Sequence, residues 1–264
     1  MHYFRPCTLG YVAKRFFPYP LTADDLVVFK MRDEFERLDE DTELDKMKAL
    51  VKKMEAPPGL FKEGLHKQFL LKCKAMTLFK EDGDANDIMV LLDEAIRITL
   101  PNFKESLVYK YLLGNDDMEI ITMMAQVAFR EGQQESAITL LRKLEESIEK
   151  HYIDENEKAR SLTYVYYSLS SFLGLMERYE EGLSVCEKAI AVGVRNRAYG
   201  FLPLLKYNQA YCLHYMGERK PGEVATLVAE AYYSCRVHGE HTTSVDIKHY
   251  AKELFHLDVD GLRS

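Results

Sequence analysis

The chain has 264 residues, 47% of them apolar and 29% charged, with 35 basic residues against 42 acidic ones for a net charge of −7. That balance suits a globular domain and excludes wholesale disorder, and no apolar run reaches the ~18 residues that a membrane-spanning helix requires. The acidic excess argues against a module that grips nucleic acid through its phosphates. The opening segment MHYFRPCTLGYVAKRF has no apolar core of secretory type, so the expected location is cytoplasmic. Five cysteines (Cys7, Cys73, Cys186, Cys212 and Cys235) with no CxxC pair read as reduced, buried thiols rather than a disulfide framework.

From residue 21 the elements run as helices. LTADDLVVFKMRDEFERL and ELDKMKALVKKME read as a first amphipathic pair, and EAPPGL (55–60) breaks the chain after it. A repeat then begins. Ile88, Leu91, Leu92 and Ala95 mark one apolar helix face. The same offsets return at Ala137, Leu140, Leu141 and Leu144, then at Gly182, Val185, Cys186 and Ala189, and finally at Val224, Leu227, Val228 and Ala231. Starting positions advance by 49 (137 − 88), 45 (182 − 137) and 42 (224 − 182) residues. Each marked helix follows a turn and an earlier helix. Gly83, Gly132 and Gly217 supply three of the turns, where a glycine can take positive φ, and Glu177 stands at the fourth. Seven or eight residues before each turn lies a small side chain, Ala75, Ala125, Ser170 or Ala210, which lets two helices approach closely. LPNFKESLVYKYLLGNDD (100–117) is the longest irregular connection, with room for a turn of helix. HTTSVDIKHYAKELFHL reads as a closing helix over the last apolar face. The expected fold is all-α, a right-handed superhelix of tetratricopeptide-like helix pairs over residues 21–264.

Phosphate-loop, dinucleotide, nucleophile-elbow and zincin motifs are all absent from the sequence, so no catalytic residue, metal site or cofactor is expected. His238 and His241 in HGEH, with Cys235, match no structural zinc spacing. An enzyme is therefore the weak reading. Tyrosine is the informative residue type, with seventeen copies and no tryptophan. Helix-pair arrays turn their first helices toward a concave surface. Positions six and three before the small residue, and one and four after it, should line that surface. The rule selects Tyr164, Tyr167 and Ser171 in the third pair and Tyr207, Tyr211 and His214 in the fourth. In the second pair it selects Glu119, Thr122, Gln126 and Phe129, and in the first Phe69, Lys72, Met76 and Phe79. Aromatic area joined to hydroxyls and amides suits an extended peptide or a partner protein.

ITLPNF (98–103), EGQQESAITLLRKLEESI (131–148), MERYEEGLSVCEKAI (176–190) and YNQAYCLHYMG (207–217) carry a further resemblance. The chain resembles the C-terminal regulatory domain of Xre-type helix-turn-helix transcriptional regulators, the Rgg/PlcR-like group of Firmicutes. The resemblance implies a domain that dimerises and takes a short signalling peptide in its concave groove. It also implies that DNA is bound only through a helix-turn-helix domain absent from this chain. Asparagines clamp the peptide backbone in that family, an amide being able both to donate to a carbonyl and to accept from an N–H. Asn208 occupies such a position, two residues before Ala210, whereas Met123 and Ser168 occupy it in the earlier pairs, which changes what ligand would fit. The expected groove is thus Thr122, Gln126, Tyr164, Tyr167, Ser168, Ser171, Tyr207, Asn208, Tyr211 and His214. Residues 1–20, with Arg5, Lys14 and Arg15, resemble the end of a helix-turn-helix domain running into a linker. The alternative reading is a stand-alone tetratricopeptide-type interaction scaffold with no DNA role.

Overall fold

The structure is a computed structural model and describes residues 23–38, 43–56, 59–152, 154–217, 220, 222–238 and 241–261. The segment 1–20, expected to be the end of a helix-turn-helix domain, lies outside the described residues, as does Cys7. The described residues form eleven α-helices and no strand. These are α1 (Ala23–Glu36), α2 (Leu44–Glu55), α3 (Gly64–Lys80), α4 (Ala85–Thr99), α5 (Asn115–Arg130), α6 (Gln134–His151), α7 (Glu155–Leu175), α8 (Tyr179–Arg195), α9 (Leu202–Met216), α10 (Glu223–His238) and α11 (His241–Phe255). The long connection after α4 holds a short 3-10 helix, Glu105–Lys110. The fold is all-α and built of tetratricopeptide-like helix pairs. It divides into two compact units, with the boundary after Ser147, inside α6.

The turns explain why the pairs repeat. Four helices end on the same six-residue hydrogen bond, Gly83 N–H to Leu78 O (2.9 Å), Gln133 to Ala128 (2.8 Å), Arg178 to Leu173 (2.9 Å) and Ala198 to Gly193 (2.8 Å). The residue before each donor, namely Asp82, Gly132, Glu177 or Arg197, has left-handed backbone with φ of 54°, 80°, 60° and 56°. This arrangement satisfies carbonyls that the helix end would otherwise orphan. In the first of these turns the left-handed residue is Asp82, not Gly83 as the glycine pattern predicts. Gly83 is needed for another reason, because a Cβ there would stand 2.9 Å from Leu78 O. Asp84 and Asp154 then cap α4 and α8's predecessor α7, each accepting from two backbone N–H groups of the first turn.

In the first unit (residues up to 147), α1 and α2 pack on α3, α3 pairs with α4, and both α3 and α4 meet α5. Val28, Phe35, Met47, Leu50, Met54, Phe61, Phe69 and Cys73 form one apolar core. In the second unit (from 148), α7 pairs with α8, α9 with α10, and α11 covers α10. Tyr207, Cys212, Leu213, Val228, Tyr232, Cys235, Ile247 and Phe255 fill its core. The expected small residues Ala75, Ala125, Ser170 and Ala210 are each no more than 1% exposed, as close helix approach requires. The four described cysteines are free and buried.

Candidate functional site

Eight of the ten predicted groove residues lie in the second unit, on the neighbouring first helices α7 and α9. Their surroundings differ. Tyr207 is fully buried, its ring 5.7 Å from Phe255, and burial pushes its hydroxyl well above the usual range. Tyr167 is also buried, stacked on Phe201 at 5.6 Å, with half-buried Tyr164 against the same ring at 5.2 Å. Tyr211 is half-buried between Tyr179 (6.3 Å) and Tyr215 (4.8 Å), and Tyr179 and Tyr215 stack nearly parallel at 5.2 Å. His214 is exposed, edge-on to Phe255 at 5.1 Å.

Asn208 joins the two helices. Its Nδ2 donates to Ser170 Oγ and Ser171 Oγ, both at 2.9 Å, and more distantly to Tyr167 O. Its Oδ1 makes no hydrogen bond among the described residues. Ser168 is 3% exposed and its hydroxyl has no partner among the described residues. Asn208 is itself 3% exposed, so the open part of the α7–α9 face is made by Tyr164, Ser171, Tyr211 and His214 over a buried layer of Tyr167, Ser168, Tyr207 and Asn208, and among the described residues no ion pair joins the two helices. Hydroxyl and amide side chains are able to hydrogen-bond neutral polar groups, the N–H and C=O of a backbone among them.

The other two predicted residues, Thr122 and Gln126, lie on α5 in the first unit. Thr122 is fully buried with its hydroxyl unpartnered among the described residues, and Gln126 is half-buried. Close to them in sequence stands a cluster that the tyrosine-led reading overlooks. Lys72 of α3 is 2% exposed and pairs with Asp116 Oδ1 and Glu119 Oε2 of α5, both at 2.5 Å. Arg32 of α1 reaches Asp116 Oδ2 at 2.8 Å, its guanidinium 4.0 Å over the Phe69 ring. Burial pulls the Lys72 pKa down, but Asp116 and Glu119 outweigh it and hold the ammonium charged. Burial likewise opposes ionisation of Asp116, and Lys72 and Arg32 override it, bringing that carboxyl to about 2. Beside them Asp117 accepts from Gln68 Nε2 (2.7 Å), Thr99 Oγ1 (2.6 Å) and Gly114 N–H (2.9 Å), tying α3, α4 and α5 together. Lys72 and Glu119 both obey the spacing rule for groove positions. Their opposite charges were the available signal.

Among the described residues no group of three or more His, Cys, Asp and Glu side chains could hold a metal ion. The His238 and His241 side chains lie outside the described residues, and Cys235 is packed in the core. No described helix is long and apolar enough to cross a membrane.

Comparison with solved structures places this helix-pair architecture. Bacillus thuringiensis PlcR in complex with the peptide PapR7 and DNA aligns with a TM-score of 0.67 at 18% identity, covering 86% of this chain and 76% of PlcR. Its apo form aligns at 0.60 and 19%, covering 85% and 78%. The fold is that of PlcR. The competence regulator ComR from Streptococcus vestibularis, in complex with its cognate signalling peptide XIP, aligns at 0.57 and 12% identity, covering 90% of this chain and 98% of ComR. No protein-family model matches the sequence, and no curated protein sequence matches it significantly. At these identities the likeness establishes the tetratricopeptide-like fold shared with PlcR and ComR.

Proposed function

We propose that this chain is a non-enzymatic, peptide-sensing and dimerisation domain of a transcriptional regulator, acting in the cytoplasm. The observation that carries the reading is the fold shared with PlcR and ComR, each solved with a bound peptide. The α7–α9 face supports it. An extended peptide would lie against Tyr164, Tyr167, Ser171, Tyr211 and His214, with Ser168 and Tyr207 behind them. Asn208 Oδ1 would accept from a peptide N–H, its amide nitrogen being held by Ser170 and Ser171. Thr122 and Gln126 are the corresponding polar positions on α5. DNA contact, in this reading, belongs to a helix-turn-helix domain and not to the helix pairs.

A pooled library of short synthetic peptides, screened by thermal shift on the full chain, tests the proposal. A binder raises the unfolding midpoint in proportion to the logarithm of its concentration. The expected hit loses its effect on Asn208→Ala and Tyr211→Ala. A library that never shifts the midpoint, with protein partners recovered instead, favours the scaffold. Light scattering at high concentration tests dimerisation, and a monomer throughout would remove it.

A further inference from the structure

Three tyrosines of the second unit meet where the α7–α8 turn approaches the C-terminal end of α9. Tyr179, the first residue of α8, stacks on Tyr215 of α9 at 5.2 Å with the ring planes 9° apart. Tyr211 tilts against both, at 6.3 and 4.8 Å. The turn fixes this group in place. Glu177 N–H donates to Gly174 O at 3.1 Å, and Gly174 is the seat of Tyr211, since a Cβ there would stand 3.3 Å from Tyr211 Cδ1. Tyr211 follows Asn208 by three residues on α9, so the group borders the α7–α9 face. Tyr215 is 47% exposed and Met216 39%, and the stack opens to solvent.

Charge at this edge has one sign. Glu177 and Glu180 are exposed, and neither carboxylate has a partner among the described residues. Arg178 between them is held by both oxygens of Glu181, each at 2.7 Å. The last turn of α9 adds carbonyls without a helical partner, the negative end of the helix dipole. Burial and then the Glu177 carboxylate push the Tyr179 hydroxyl above its usual range, the same field felt from the ring. Elsewhere the chain faces its own rings with cations. Arg32 stands 4.0 Å over Phe69, Arg130 4.8 Å over Phe79 and Lys188 4.9 Å over Tyr166. Among the described residues no lysine or arginine does so for Tyr179 or Tyr215.

We propose, on the peptide-sensing reading, that Tyr179, Tyr211 and Tyr215, rimmed by Glu177 and Glu180, take a cationic side chain of the bound peptide, a lysine or an arginine. A cation over a tyrosine face is attracted by the ring quadrupole, and the flanking carboxylates offer it charge-assisted hydrogen bonds. A neutral apolar side chain gains ring contact alone, and an acidic one meets like charge from Glu177 and Glu180. The net charge of −7 favours the approach of cationic peptides in the same sense.

Thermal shift of the full chain with a pair of synthetic peptide pools tests this, one pool containing lysine and arginine and the other carrying glutamine in their place. The cationic pool should raise the unfolding midpoint more than the neutral one. The tightest peptide from the cationic pool is then titrated calorimetrically beside its glutamine counterpart. Replacing the cation should weaken binding about tenfold in the wild-type chain but only about twofold in Tyr215→Ala, because both changes remove the same contact. Tyr215→Phe keeps the ring and should retain the full difference. Glu177→Gln should make the remaining preference less sensitive to salt. Equal response to the two pools, or an undiminished preference for the cation in Tyr215→Ala, overturns the proposal and leaves peptide sensing standing. No response to either pool removes both.

Discussion

The two units bury polarity by different chemistry. In the first, α1, α3 and α5 are joined by Arg32, Lys72, Asp116 and Glu119, all charged. In the second, α7 and α9 are joined by Asn208, Ser170 and Ser171, all neutral. Neutral hydrogen bonds are satisfied one at a time, and their strength does not depend on pH in the physiological range. Charges taken out of water must be paired, and removing one partner leaves the other uncompensated. First helices of one repeat plan are thus joined by ion pairs in one unit and by neutral hydrogen bonds in the other.

The largest effect expected from this contrast comes from removing the shared cation. Lys72→Met leaves Glu119 without its cation and Asp116 with Arg32 alone, and should cost about 3 kcal/mol in urea unfolding followed by tyrosine fluorescence. Next is pH. Glu36 has an ordinary value of 4.5 and a folded value of about 7, so between them the native chain keeps a proton that the unfolded chain has released. Its contribution is full below 4.5 and is lost as pH rises through 7, amounting to at most about 3 kcal/mol. Glu36→Gln should flatten that limb of the stability profile. Asn208→Ala in the second unit should cost about 1–2 kcal/mol, with the same loss at pH 6 and pH 8. A loss that changed strongly with pH would erase the distinction between the units. The smallest effect is a gain. Glu177 holds a left-handed φ of 60° where the equivalent turn has Gly132, so Glu177→Gly should raise stability by about 1 kcal/mol.

Most of the fold was legible because it is local. Apolar residues at helical offsets, a small residue at the crossing and a turn a few residues later specify a helix pair within one repeat length. Glu177 could be matched to Gly132 in the sequence because the spacing required a left-handed residue there, and the structure supplies it. Asp82 was missed because the eye follows glycine, while the turn needs only one residue able to adopt that backbone. The face shared by α7 and α9 was legible by position, since the two helices do neighbour one another. Its partners were not. That Asn208 would spend its nitrogen on Ser170 and Ser171, 38 and 37 residues earlier, follows from packing alone. The ionic cluster was hidden for the same reason, since Arg32 and Asp116 are 84 residues apart.

Peptide recognition by the neutral α7–α9 face is the central claim, and hydrogen exchange of the full chain with and without a library hit tests it most directly. Added protection concentrated in Glu155–Leu175 and Leu202–Met216, and abolished in Asn208→Ala, is the predicted result. Protection confined to other helices, or undiminished in Asn208→Ala, would contradict it.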